Sequence, residues 1–378
     1  MSSEVLGMNW RESSEKVAAA LRADAAERDR AGALPVAEVE LLRQSGLLEL
    51  LTTDGWTAAN EAARTVAAAD ASIGHLLGYH YLQRWRTGLF GPPAPSETGW
   101  FWAGVSNPLD ADLTMTPVGD AFVVDGFKTF ATGAAVADRL VVSATRTDTG
   151  EKTTFVVDAH APGIGYPGEW DNMGQRLTAS GGVRFERVRV EPADVLGVQP
   201  DDPVPPRLSL AALGFQLMLA QVYVGLALGS LDAAAVYTRD HARAWTLSGV
   251  ASAADDPYTL AGYGELLAMT RAAGYAVDAA VAALGAADER GDDLTAEERA
   301  ETAIVISTAK IAASRAAIET TSKVFEFTGA RSTAGKYSFD RFWRNARTLT
   351  LHDPISYKAR EVGDHFLRGT PPVPSGYS

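Results

Sequence analysis

Cysteine is missing from all 378 residues. That excludes disulfides, thiolate metal sites, Cys-ligated iron–sulfur clusters and a cysteine nucleophile. A surplus of positive charge is missing as well: 34 Lys and Arg stand against 47 Asp and Glu, a net −13 with pI near 5.0. A nucleic-acid partner would lack its usual electrostatic footprint. The stretch from Met1 to Val5 has neither a basic nor an apolar export region, so a cytoplasmic location is the default reading. There is no GxxxxGK[ST] loop, no HExxH and no Glu-x-x-His pair, and His75 and His80 are spaced off a shared helical face. The pattern therefore predicts no triphosphate site and no protein metal site.

What is present is ordinary globular material, 46% hydrophobic and 21% charged. At ~150 residues per domain, the length suggests two or three domains or one large composite. Residues 10–50 read as helical, with Pro35 in a first turn; further helices fit 57–70 and 72–90, and Pro92, Pro93 and Pro95 stop the pattern. From Trp100 to about Val195 the chain changes character. Phe122–Phe127, Leu140–Val142, Thr154–Val157 and Val183–Glu186 are short apolar or alternating runs punctuated by Gly, Pro and Asp, a β-domain signature. Pro200, Pro203, Pro205 and Pro206 mark a boundary. Beyond Arg207 the chain is helical almost to its end. Tyr263, Leu266, Leu267, Thr270, Gly274, Val277, Val281 and Leu284 share one helical face; Gly291-Asp292-Asp293 ends that helix, and Thr295 with Glu298 forms a capping box for the next. The prediction is an α+β, mostly helical chain: an N-terminal helical domain over 1–98, a middle β-domain over 99–198 and a C-terminal helical bundle over 207–378.

Several signals have a plain reading beside a sharper one. Leu208 to Leu231 carries no charge and is long enough to span a bilayer, but polar residues and three glycines interrupt it; a buried bundle helix with oligomer contacts is the preferred reading, with no membrane partner. Gly163 to Gly168 spells GxGxxG, yet Pro167 and Glu169-Trp170-Asp171 follow instead of a helix, so it reads as a turn between strands. His241 and His365 lie among charged neighbours. Taken alone, His80, in Gly78-Tyr79-His80-Tyr81, and His352, before Asp353-Pro354, read as satisfied structural histidines. The run Asp340 to Arg347 mixes cations with aromatics and reads either as a salt-bridged helix start or as a set of anion-binding guanidinium forks; Arg243-Ala244-Trp245 and Gly329-Ala330-Arg331 are further candidates.

The helix–β–helix order resembles the acyl-CoA dehydrogenase fold, in its flavin-dependent, dibenzothiophene monooxygenase-like branch. The resemblance runs from about Ala67 onward. It is carried by Ala69–His75 with Gly78-Tyr79-His80, by Val236–Arg239 with Ala242–Thr246, by Asp256–Thr259 and by Phe325–Arg331. Phe339–Asn345 and Leu351–Lys358 are its strongest stretches. It implies a reduced flavin, FMNH2 with FAD as the alternative, delivered by a separate NAD(P)H:flavin reductase. Oxygen adds to give a C4a-hydroperoxide that oxygenates a small organosulfur or amine substrate. The protein's part is a dry pocket and positioned polar groups. The resemblance further implies a homotetramer.

Residue by residue, the resemblance makes Arg243 and Arg331 ligands of the flavin phosphate, one of them reaching in from a neighbouring subunit, with Trp245 beside them. Phe130, Thr132 and Gly133 lie against the flavin and Trp170 beside its ring. Asn107 is a polar group near the oxygen-reactive carbon. His352 is the catalytic histidine, and His80 faces the same pocket. Many acyl-CoA dehydrogenases place a glutamate base near this C-terminal position, where His352 and Asp353 stand here. Thr132 replaces the usual Ser, Pro108 replaces a small polar residue, and the 91–99 segment is short, so the family's best-known aromatic sulfur substrate does not carry over. A flavin dehydrogenase or oxidase, and a catalytically silent scaffold, are the alternatives.

Overall fold

The computed structural model describes residues 9–167, 170–200 and 203–378. Met1 to Val5, and Gly168 and Glu169 of the Gly-rich stretch, lie outside the described residues. The N-terminal layer holds α1 (Trp10–Ala31), α2 (Val36–Gln44), α3 (Leu50–Thr53), α4 (Gly55–Ala69) and α5 (Ala71–Thr87). The helical run over 10–50 is therefore broken. Gly32 takes a left-handed C-cap conformation at φ 57°, and Pro35 sits at the N-cap of α2, one position before the first turn. Asp70 is the N-cap of α5, its carboxylate accepting from the Ser72 and Ile73 amides at 3.0 and 3.3 Å while Arg28 lies 3.2 Å away.

The middle layer is one mixed sheet: β1 (Trp102–Val105), β2 (Leu113–Val118), β3 (Ala121–Lys128), β4 (Arg139–Arg146), β5 (Lys152–Asp158), β6 (Ile164–Gly165), β7 (Val183–Val190) and β8 (Val195–Val198). Its order is β6-β7-β3-β2-β4-β5-β8, and β1 pairs in parallel with β4. The Gly-rich letters fall on this sheet: Gly163 precedes β6 at φ +92°, where a Cβ would sit 2.2 Å from the Glu186 carbonyl oxygen, and the chain goes into a strand and not a helix. A dinucleotide fingerprint is thereby ruled out.

The C-terminal layer is α6 (Pro206–Asp240), α7 (Pro257–Glu289), α8 (Ala296–Thr328), α9 (Asp340–Leu349) and α10 (Ile355–Arg368). The capping box at Thr295 and Glu298 is formed on both sides, and Asp256 caps α7. By length and composition α6 and α7 could each cross a bilayer, but 89% of the most apolar window of α6 is buried within the chain. Of the α7 face predicted from spacing, Leu266, Thr270, Gly274, Val277, Val281 and Leu284 are buried, while Tyr263 and Leu267 are half-buried at the edge of the same core. One apolar core joins the N-terminal helices to the sheet, and a second fills the bundle around α6.

Candidate active site

The helix α5 is buried almost all round, and it carries two histidines that face different neighbours. His80 is fully buried. The Trp102 amide donates to its Nδ1 at 3.0 Å, so its proton lies on Nε2, which donates to the Leu48 carbonyl at 2.8 Å. Its ring stacks on Phe101 with centroids 5.3 Å apart. Burial lowers its pKa to about 4. The sequence placed His80 in the reaction pocket; the structure places it in a clamp between α5, the Leu47–Glu49 turn and β1, with both ring nitrogens engaged by backbone.

His75 is the histidine on the other side. Its Nδ1 lies 3.2 Å from Gln175 Oε1, which puts the proton on Nδ1 and leaves Nε2 a buried acceptor with no partner among the described residues. Burial lowers its pKa to about 4 against the opposing hydrogen bond from Gln175, with a lesser lowering from nearby His352. One helical turn on, the Tyr79 ring meets His75 edge-on at 4.2 Å. The Tyr79 hydroxyl is 3.5 Å from His352 Nε2. Burial, Asp353 and Tyr377 all raise the phenol pKa, so Tyr79 keeps its proton.

His352 is presented by the turn between α9 and α10. Tyr223 fixes that turn by donating to the Leu349 carbonyl at 2.9 Å, and Pro354 then opens α10. The His352 Nδ1–H donates to Asp353 Oδ1 at 2.9 Å, and the same carboxylate oxygen accepts from Lys310 Nζ at 2.5 Å. Lys310 also donates to Gln216 Oε1. His352 and Lys310 hold the Asp353 carboxyl well below the ordinary range although burial opposes it.

Asn107 lies in the loop after β1. Its side-chain oxygen accepts from the Leu109 amide at 3.2 Å, and its backbone carbonyl accepts from the buried Lys128 ammonium at 3.0 Å. Pro108 lies beside Gly376, where an added Cβ would come within 3.4 Å of the proline ring. Tyr377 then lies near Asp110 on one side and Asp353 on the other, with its ring 5.9 Å from His352. The C-terminal segment thus brings the Asn107 loop and His352 to one place.

Phe130, Thr132, Gly133 and Trp170 form a continuous wall. Phe130 is held at φ +54° and stands 65% exposed, edge-on to Trp170 at 6.0 Å. The Thr132 hydroxyl meets Ser180 at 2.8 Å, Ser180 meets Thr178 at 2.7 Å, and Thr178 donates to the Gln175 carbonyl at 2.8 Å. Trp170 Nε1 donates to that carbonyl at 2.7 Å. Gly133 has φ 77°, and a Cβ there would come within 3.0 Å of Leu76 and 3.1 Å of Phe101. Gln175 is therefore a hub: its backbone carries the wall, its side chain holds His75, and its amide donates to Asn345 on α9 at 2.6 Å. A cleft of about 480 Å³ opens beside Ala131 and Trp170.

Arg243 and Arg331 are exposed, on the loop after α6 and the turn after α8, with no ion-pair partner among the described residues. Tyr237 links these segments, meeting His241 edge-on at 5.3 Å and lying close enough to Arg331 to feel its charge. Trp245 is 70% exposed and lines a hollow of about 550 Å³ with Tyr258, Lys323 and Phe327. Among the described residues, no hydrogen bond or ring contact ties this end of the bundle to the Phe130–Trp170 wall within one chain. The run Asp340 to Arg347 follows its plain reading: Arg344 pairs with Asp29 at 2.5 Å and Asp340 at 2.7 Å.

Sequence reasoning missed His75, Tyr79, Gln175, Tyr377 and Lys310. A signal existed for some of them. His75 and Tyr79 are four apart and share a helical face. Lys310 is a lone cation in an Ala- and Ile-rich stretch, a pattern that calls for a buried partner.

Family models described as acyl-CoA dehydrogenase, middle domain, and acyl-CoA dehydrogenase, C-terminal domain, match residues 106–188 and 217–357. The dibenzothiophene monooxygenase of Rhodococcus qingshengii is 41% identical to this chain, with 93% of this chain and 92% of that protein covered. A protein of Pseudomonas putida named probable FMNH2-dependent monooxygenase SfnC is 37% identical, covering 94% and 93%. The structure of TdsC from Paenibacillus sp. A11-2 with FMN and indole superposes with a TM-score of 0.92 at 37% identity, covering 98% of this chain and 99% of that one.

Proposed function

The chain belongs to the acyl-CoA dehydrogenase family, in its flavin-dependent monooxygenase branch, and on that premise we propose how its residues serve the reaction. The protein is a two-component, FMNH2-dependent monooxygenase that uses O2 to oxygenate a small organosulfur or amine substrate. The observation that carries the assignment of roles is the Gln175 hub. It joins an aromatic and hydroxyl-lined wall to a cluster of buried His75, half-buried Tyr79 and exposed His352, in which the adjacent carboxylate, Asp353, is already engaged by Lys310 and His352.

The residues present fit a bound FMN. Arg243 and Arg331 are unpaired guanidiniums suited to a phosphate dianion. Phe130, Thr132, Gly133, Trp170 and Trp245 offer aromatic faces and a hydroxyl for the ring system. The buried Nε2 of His75 and Nε2 of Gln175 are polar atoms left without partners among the described residues. Bound FMNH2 would supply two reducing electrons to O2, and O2 would be the source of the transferred oxygen atom. The protein does the rest by placement. Asp353 keeps the His352 proton on Nδ1, so Nε2 faces Tyr79 as an acceptor, and a protonated imidazole there becomes a donor. Tyr79 stays protonated and can donate. Thr132 can turn its hydroxyl outward because Ser180 can either donate to it or accept from it. Asn107 is held on a loop stiffened by Pro108. His80 contributes by fixing α5 and takes no part in proton movement.

Asp353 is the carboxylate nearest the position of a dehydrogenase base, and it is already bound to Lys310 and His352 with its basicity depressed. It is a poor acceptor for an α-proton, which argues against a thioester dehydrogenase.

A separate NAD(P)H:flavin reductase supplies FMNH2, and dependence on that nicotinamide pool puts the reaction in the cytoplasm. Exposed Tyr258, Leu260 and Tyr275 on α7 support a homotetramer in which a neighbouring subunit brings one arginine to each flavin. The test is oxygen transfer. Protein mixed with reduced FMN, ¹⁸O2 and a panel of small sulfides, sulfinates and amines is expected to give singly ¹⁸O-labelled product. Quantitative hydrogen peroxide with no labelled product across the panel overturns the reading.

A further inference from the structure

Lys310 is a charged side chain in the middle of α8 that the reaction itself does not require. It is 1% exposed, and its ammonium is enclosed by Asp353 Oδ1 at 2.5 Å and by Gln216 Oε1. Such a cation is costly to bury and persists only where its partners repay the desolvation. Its carboxylate partner is the one that holds His352, through the same oxygen. We propose that Lys310 is a positioning residue for oxygen transfer: by anchoring Asp353 from the bundle side, it fixes His352 as the Nδ1–H tautomer with Nε2 turned toward Tyr79.

The arrangement is a relay of four side chains from three segments. Gln216 of α6 and Lys310 of α8 are built into the bundle core, whereas Asp353 and His352 sit on a short turn that could otherwise pivot. An aspartate bound only to a neighbouring histidine has one constraint; bound also to a buried ammonium, it has two, and the ring it orients loses a rotational degree of freedom. The same logic governs carboxylate-oriented histidines in general. The groups facing this relay are Lys358 and Glu361 on α10, His75 and Tyr79 on α5, Tyr223 on α6, and Tyr377 on the C-terminal segment. Lys358 and Glu361 pair with each other at 2.9 Å, and Ser307 donates to Glu361 at 3.4 Å, so neither competes for Asp353. The three tyrosines are pushed upward by burial and by Asp353 and stay protonated. Lys310 itself is lowered by burial to about 8, against the pull of Asp353.

The inference rests on the monooxygenase reading only for what the histidine is positioned to do, and its first test needs no flavin. Nitrogen-15 imidazole spectra of the flavin-free protein are expected to show His352 as a single Nδ1–H tautomer, Lys310→Met to give a mixture, and Lys310→Arg to restore the single form. In the holoenzyme, labelled product per FMNH2 oxidised is expected to fall at least tenfold in Lys310→Met, with peroxide making up the difference and FMN affinity unchanged. Product yield in the wild type is expected to decline above about pH 8 as the ammonium discharges, and that decline moves to higher pH in Lys310→Arg. If Lys310→Met does not fold, the wild-type spectra from pH 6.5 to 9 carry the test, because discharge of Lys310 should loosen the tautomer over the same interval. A tautomer indifferent to both substitution and pH overturns the proposal, as does a tautomer change with an unchanged product-to-peroxide ratio. Failure of the monooxygenase reading looks different: wild-type protein would then transfer no oxygen at all.

Discussion

His80 and His75 sit five residues apart on α5, both out of water and both held near pKa 4, yet one has every polar atom engaged and the other does not. His80 uses its two nitrogens on the backbone of a turn and a strand. His75 uses one on the Gln175 side chain and leaves the other without a partner among the described residues. The difference separates a histidine spent wholly on the fold from one with a polar atom to spare: burial and pKa are alike, and only the hydrogen bonds tell them apart.

The comparison can be broken by substitution. The largest effect is expected at His352. His352→Ala should keep FMN binding and the melting temperature within experimental scatter while product formation falls by roughly 10²- to 10⁴-fold and peroxide replaces it. Product counted by mass spectrometry against flavin oxidised measures this; an unchanged yield removes His352 from the reaction. His80→Ala should do the reverse. It leaves the Leu48 carbonyl and the Trp102 amide buried without partners and opens a cavity against Phe101, costing about 3 kcal/mol in urea unfolding. Turnover per folded molecule should stay near wild type.

Acid sharpens the comparison further. Both histidines are depressed in the folded state, so between their unfolded pKa of about 6.5 and about 4 the unfolded chain binds protons that the native one refuses. Stability should therefore fall as pH drops through that window, by up to about 3 kcal/mol per histidine. His80→Ala should remove about half of the slope contributed by these two residues, which pH-dependent unfolding curves will show. Arg243→Ala, at a cation with no ion-pair partner among the described residues, should weaken FMN binding by about 2 kcal/mol with little change in stability. Fluorescence titration with FMN decides it, and a wild-type affinity removes Arg243 from the cofactor site. Thr132→Ser keeps the hydroxyl and removes a methyl, so an effect below about 1 kcal/mol is expected on stability, with any change confined to substrate preference.

Much of the fold was legible because its signals are local. The Thr295–Glu298 capping box, the proline stops after α5 and before α6, and the charge-free run that became α6 each rest on a few neighbouring residues. The alternating runs of the middle layer likewise became strands. At the candidate site the sequence singled out His352 through the resemblance, and it placed His80 beside it where only the packing of a helical face could decide. On a helix exposed on one side, periodicity would have put His75 inward or outward. The helix α5 is covered nearly all round, so its pattern carries no direction, and the choice between His75 and His80 depended on which element packs on each flank. Gln175 and Tyr377 were invisible for a related reason: they reach the site from loops whose path no spacing rule fixes.

The glycines of α6 reach beyond packing. A Cβ at Gly229 would lie 1.9 Å from the Ala68 carbonyl oxygen, and one at Gly225 would lie 2.5 Å from that of Arg64, so α6 and α4 cross with backbone against backbone. Layers in such contact do not swing apart as rigid plates; a hinge there would have to tear through the tightest seam in the molecule. Traffic into the pocket would then use the irregular segments at its rim, the Asn107–Asp110 loop, held by Lys128 and Thr129, and the proline-rich stretch ending in Tyr377 and Ser378. Turnover would on this account be timed by peeling a short ribbon, and stiffening that ribbon would slow entry and exit without touching the chemistry.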